Sequence, residues 1–112
     1  MKRVYLGEFE ELVLLLVAIM NGEAYGVAVM VALKEQSGRI VNISAVHAAL
    51  RRLQEKGFVK SDWSEATSER GGRRKRLFSI TSEGRTALEQ QRDMRIKLWN
   101  QIPGFNTNIS FA

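Results

Sequence analysis

One hundred and twelve residues, 45% apolar and 26% charged, suit a single globular domain with a modest core. There is no cysteine and His47 is the only histidine, which excludes disulfides and thiolate chemistry and leaves no ordinary zinc site. The net charge of +5 is unevenly placed: nine basic and four acidic residues lie between Arg51 and Arg76, and the rest of the chain balances, so phosphate is the expected counterpart.

Met1-Lys2-Arg3 before an apolar stretch has the beginning of a secretory signal. Glu8, Glu10 and Glu11 interrupt it, however, and no small-residue cleavage site follows. The apolar run from Leu12 to Met20 is nine residues, under half of the roughly 20 that span a bilayer. These features predict a cytoplasmic protein with no membrane partner.

In chain order, a first helix is expected from about Leu6 or Gly7 to Met20, stopped by Asn21-Gly22. Its early glutamates suit the helix dipole. Beyond Leu12 it is apolar all round, which predicts either full burial or sharing with a second chain, and in so small a domain sharing is favoured. A second helix, about Tyr25 to Gln36, ends at Ser37-Gly38 and turns Val29, Met30 and Leu33 inward. Gly26 in its first turn lowers helix propensity by roughly 1 kcal/mol against alanine, which close approach of another helix would offset.

The third helix begins with a cap at Asn42 or Ser44 and stops at Gly57. Ile43, Val46, Leu50 and Leu53 make one apolar stripe. The other side carries Ser44, Ala45, His47, Ala48, Arg51 and Arg52, small groups followed by two cations, so the helix can lie against DNA without bulky side chains holding it off. Two helices joined by the short link Arg39-Ile40-Val41, the second basic outside, make a helix-turn-helix. The plainer reading is a surface helix with solvated arginines, and the segment that follows argues against it.

From Phe58 to Ser64 the period changes to two, with Val59, Ser61 and Trp63 on one side, and Arg76 to Ile80 alternates as well. These predict two antiparallel strands, with Trp63 in the strand-to-helix packing. Between them lies a polar segment holding Gly71-Gly72, and five cations occur in the seven residues from Arg70 to Arg76. A hairpin with a basic tip after a helix-turn-helix is a wing. Arg70, Arg73 and Arg74 are its candidate DNA contacts, Lys75 a lesser one, and Arg76 can belong to the strand instead. Arginine suits narrow minor grooves.

A last helix, capped by Thr81 or Ser82, runs from about Glu83 to Gln101 and is ended by Pro103-Gly104. Its candidate buried residues are Ala87, Leu88, Met94, Leu98, Trp99 and Ile102. That face is too sparse for a core helix and too apolar at its far end for water, so pairing with the first helix of another subunit is expected. The tail from residue 103 to 112 is expected to be flexible.

Three stretches in the right order resemble the PadR family of bacterial transcriptional regulators. They are Leu6-Gly7-Glu8-Phe9-Glu10 with Glu23-Ala24-Tyr25-Gly26-Val27, then Ser44 to Val59, then Glu69 to Arg76 through Thr81-Ser82-Glu83-Gly84-Arg85. The single helix after the wing resembles the family's short subgroup. The resemblance implies a winged helix-turn-helix homodimer with its first and last helices at the interface. It also implies repression of nearby genes, often relieved by a small molecule. The family usually has tyrosine where this chain has His47, commonly followed by threonines where it has Ala48 and Ala49, so those contacts do not carry over.

The expectation is thus a mainly α fold with a small β-hairpin, one winged helix-turn-helix domain over residues 1–102. Within it, 6–20 and 81–102 are dimerisation helices, 25–57 the helix-turn-helix and 58–80 the wing. The candidate DNA-binding residues are Ser44, His47, Ala48, Arg51, Arg52, Arg70, Arg73, Arg74 and Lys75. Ser44 can reach a phosphate or base edge, Arg51 and Arg52 phosphates, and His47 a guanine or, when protonated, a phosphate. Trp99 is first a packing residue of the dimer and, in the sharper reading, half of a flat pocket for a small aromatic effector. No metal or cofactor is expected. No enzyme is expected either: Ser44 and His47 have no carboxylate to orient the imidazole, and Gly71-Gly72 lacks the context of a phosphate-binding loop. The alternative function is a winged-helix interaction module for an acidic partner protein.

Overall fold

The computed structural model describes residues 6–65 and 74–104. In order, these form α1 (Glu8–Met20), α2 (Gly26–Ser37), α3 (Ile43–Glu55), β1 (Val59–Trp63), β2 (Arg76–Ile80) and α4 (Ser82–Trp99). Local chemistry explains the boundaries. Asn21, with a left-handed φ of 48°, closes α1, and Gly38 closes α2. Asn42 caps α3, its side chain accepting from the Ala45 N–H at 2.8 Å, which decides between the two candidate caps. Thr81 caps α4 in the same way, accepting from the Gly84 N–H at 3.1 Å.

The core lies where α1, α2 and α3 meet the hairpin. Val13, Leu14, Val17, Val29, Leu33, Val46, Leu50 and Leu53 are essentially inaccessible, with Phe58, Val59 and Phe78 closing one side. Each such side chain stabilises the fold by about 1.5–3 kcal/mol relative to exposure. Because α1 supplies four of the buried apolar residues, most of its surface is satisfied inside its own chain. Of the two expected fates, burial within the chain accounts for these four, while Leu15 and Ile19 stand well out.

β1 and β2 pair antiparallel with Val59 opposite Ile80, Ser61 opposite Phe78 and Trp63 opposite Arg76. The alternation is as expected, but Trp63 is 62% exposed and does not join the strand-to-helix packing. It sits at the outer end of β1, and the Arg76 guanidinium covers its ring, 6.0 Å from the centroid. The hairpin is also tied to the start of the helix-turn-helix: the Phe78 N–H donates to the Ala24 carbonyl at 2.7 Å, a single bridge just before α2.

Where α3 ends and α4 begins, the chain makes a close joint. The Thr81 hydroxyl donates to the Gly57 carbonyl at 2.6 Å, and the Thr81 N–H donates to the Phe58 carbonyl at 3.0 Å. Gly84 is buried against that Phe58 carbonyl, where a Cβ would collide with backbone. Beyond the joint α4 leaves the core. Ala87 and Leu88 are half-buried, whereas Met94, Leu98, Trp99 and Ile102 are 53%, 55%, 49% and 41% exposed. Among the described residues, no helix is long and apolar enough to cross a membrane. The segment from residue 105 of the expected flexible tail lies outside the described residues.

Candidate nucleic-acid interface

The outer face of α3 exposes Ser44, His47 and Arg51, with Ala48 half-exposed among them. Val46, Ala49, Leu50 and Leu53 are buried behind, so the helix is anchored on one side and presents small and cationic groups on the other. An open hollow separates this face from the root of the wing. Its walls include Tyr25 and Gly26 at the start of α2, His47, Arg51 and Glu55 on α3, and Lys75 and Arg76 on the hairpin.

The wing root is ordered by its own bonds. Ser64 N–H donates to the Lys75 carbonyl at 2.7 Å, and Lys75 N–H donates to the Ser64 hydroxyl at 2.8 Å, extending the ladder outward. The Lys75 ammonium rests 4.2 Å from the centroid of the Tyr25 ring, a cation–π contact that holds it beside α2. Arg74 is exposed. Arg76 is engaged within the fold, donating to Ser61 at 3.0 Å and to Gln54 at 3.4 Å, as a strand residue would be. Arg70 and Arg73, the other two wing candidates, lie outside the described residues.

Arg52 has a different setting from the one expected. Its Nε donates to Glu10 Oε2 at 3.0 Å, on the side of α3 that faces α1. Glu10 is only 6% exposed and also accepts from Lys56 at 2.7 Å and from the Gly7 N–H at 3.0 Å. Burial pushes the Glu10 carboxyl up. Hydrogen bonds from Lys56, Gly7 and Arg52, with the Lys56 charge, outweigh that and hold it below the usual glutamate value. Nearby, Arg39 in the link between α2 and α3 makes a two-pronged pair with Glu8 at 2.9 and 3.0 Å. Arg95 of α4 reaches Glu11 at 3.4 Å. The three glutamates that begin α1 therefore grip the α2–α3 link, the end of α3 and α4 respectively.

Sequence reasoning missed this role of Glu10, because a glutamate in a first turn is already accounted for by the helix dipole. A signal was present: Glu10 stands three residues after Gly7, the position from which a side chain reaches back to the N-cap N–H. Trp99, the candidate effector residue, lies half-exposed at the end of α4, remote in the chain from the α3 face.

Residues 14–90 match the transcriptional regulator PadR-like family. The chain belongs to that family. No curated protein matches it in sequence. Among solved structures, it is similar to a PadR-like transcription factor from Bacteroides fragilis (TM-score 0.70, 23% identity, 80% of this chain and 82% of that one). It is also similar to a PadR family regulator from Clostridium difficile R20291 (TM-score 0.65, 25% identity, 83% and 96%). A third is a PadR-like regulator from Bacillus cereus (TM-score 0.65, 18% identity, 87% and 93%). The PadR-like fold is a winged helix-turn-helix: α2 and α3 form the helix-turn-helix, β1 and β2 the wing. The family is one of transcriptional regulators and not of enzymes.

Proposed function

We propose that this PadR-like regulator binds duplex DNA as a homodimer and acts as a repressor released by a small aromatic molecule. The observation that carries the DNA reading is the outer face of α3, small and exposed from Ser44 to Arg51, standing beside the cations of the wing root. In this reading α3 enters the major groove, with Ser44 and His47 addressing base edges, Ala48 allowing close approach and Arg51 on phosphate. Arg70, Arg73, Arg74 and Lys75 hold the flanking backbone or minor groove. Arg52 braces α3 through Glu10 and at most touches phosphate from the margin.

The dimer reading rests on Leu15 and Ile19 of α1 and on Met94, Leu98, Trp99 and Ile102 at the end of α4. These are large apolar side chains that a lone chain leaves in water. A dimer joined there across a two-fold axis would address half-sites about 34 Å apart, or a multiple of it, through its two recognition helices. Two Trp99 side chains at such an interface would offer flat walls for an aromatic effector.

A salt titration of duplex binding tests the DNA reading. The logarithm of the affinity should fall linearly with the logarithm of salt concentration, by about 0.9 per phosphate neutralised, and a flat line would remove the phosphate contacts. Sedimentation mass tests the dimer. Quenching of tryptophan emission by planar dyes, lost in Trp99→Ala, tests the effector site.

A further inference from the structure

We propose that Gly26 is a positioning residue for sequence readout: by having no side chain, it lets the His47 imidazole lie across the first turn of α2, which sets the direction in which the ring addresses DNA. The proposal rests on the assignment of α3 to the major groove and deepens it. A Cβ built on Gly26 would collide with His47 Nε2, lie 2.8 Å from His47 Cδ2 and lie 3.3 Å from Ile43 Cδ1. The ring therefore occupies the space that any other residue at this position would fill. Gly26 is buried, although His47 as a whole is exposed, so one side of the imidazole is covered by α2 and the rest looks outward.

Neither support can withdraw easily. The start of α2 is fixed to the wing through the Ala24–Phe78 bridge and the contact between Tyr25 and Lys75. α3 is fixed by the Asn42 cap and by the buried Val46, Leu50 and Leu53. Between them, the ring is left with fewer rotamers than a histidine on an open helix. A side chain ordered before binding loses less freedom on binding and tolerates fewer partners, which is how a single polar group gains selectivity. Gly26 thus touches no DNA itself and acts through His47.

The same geometry explains why the proposal can be tested without destroying the fold. Gly26 is a helical residue whose backbone needs no left-handed φ, and alanine is the better helix former. The group in the way is the end of a rotatable side chain, so Gly26→Ala should displace the imidazole and leave the domain folded.

The experiment is a selection from random duplex DNA, followed by sequencing, on the full chain and on Gly26→Ala, His47→Ala and the double variant. Gly26→Ala should alter base preference at the same positions as His47→Ala, while affinity for random duplex stays within about twofold. The double variant should read like His47→Ala alone. A Gly26→Ala profile identical to the parent, with His47→Ala changed, would overturn the proposal. So would equal losses on selected and random DNA, which would mean that the glycine serves only the fold. A parent chain that enriches no motif would overturn the DNA reading itself, and this inference with it. Should Gly26→Ala fail to melt cooperatively, proton NMR of the parent decides instead. Cross-peaks between the His47 ring and the Gly26 α-protons support the placement, and their absence rejects it.

Discussion

Arg51 and Arg52 are adjacent on α3 and chemically identical, yet they belong to two regions with opposite designs. Arg51 faces the hollow between α3 and the wing, in company with His47, Lys75 and Arg76, where three cations outnumber the one carboxylate of the lining, Glu55. Arg52 faces α1, where Glu10 gathers it with Lys56 and the Gly7 N–H around one buried carboxylate. Charge is balanced around one carboxylate in the second region and left in cationic excess in the first. A face with cationic excess is available to an anionic ligand, whereas a balanced cluster holds helices together. A rotation of 100° around a helix is enough to separate these two roles.

Replacing the centre of the balanced region should have the largest effect. Glu10→Ala takes the carboxylate from Arg52 and Lys56, and should lower unfolding free energy by about 2–3 kcal/mol in urea titrations. That is less than the roughly 3–5 kcal/mol of a fully buried pair, because Arg52 is 53% exposed and hydrated. Next comes the exposed region. Arg51→Ala should weaken duplex binding about tenfold and reduce the salt slope by about 1, with the urea midpoint unchanged. Arg52→Ala should do the reverse, costing about 1 kcal/mol of stability while duplex affinity stays within about twofold. If both arginines cost affinity and neither costs stability, the division between the two regions is wrong.

Acid should act on the balanced region selectively. The Glu10 carboxyl is held below its ordinary value in the folded chain. Its contribution is therefore fully present above the ordinary glutamate pKa, about 4.3, and is lost as pH falls toward and through the folded value. The stability gap between the parent chain and Glu10→Gln should be constant near neutrality and shrink below about pH 4.3; a gap that widened in acid would reverse the sign of the argument. The smallest effect belongs to Glu8. Its pair with Arg39 is well aligned but 63% exposed on the glutamate side, so Glu8→Ala should cost about 0.5 kcal/mol or less.

Local features were legible in the sequence because local chemistry makes them. The stops at Asn21, Gly38 and Gly57, the cap at Thr81 and the strand alternation around Ser61 all depend on neighbours within a few residues. So did the cost of glycine at position 26, although the group that uses the space, His47, could not be named. What the sequence did not disclose depends on distant partners. Glu10 meets Arg52 across 42 residues, and nothing in the pattern of either helix separates Arg51 from Arg52. Trp63 looked like core by its place in the alternation, but the alternation gives the face and not how far the packed surface extends along the strand. The apolar circumference of α1 was ambiguous in the same way: it predicts burial without saying by which chain.

The joint at Thr81 and Gly84 sets a lever. From it α4 runs for 18 residues, a length of about 27 Å, so a tilt of about 5° at the joint would carry the far end by about 2 Å. If two chains meet through that far end, the separation of their recognition helices depends on how firmly Gly84 seats against the carbonyl of Phe58 and on the Arg95–Glu11 contact that ties α4 to α1. Gly84, far from any base, would then share with that contact the setting of the distance between half-sites.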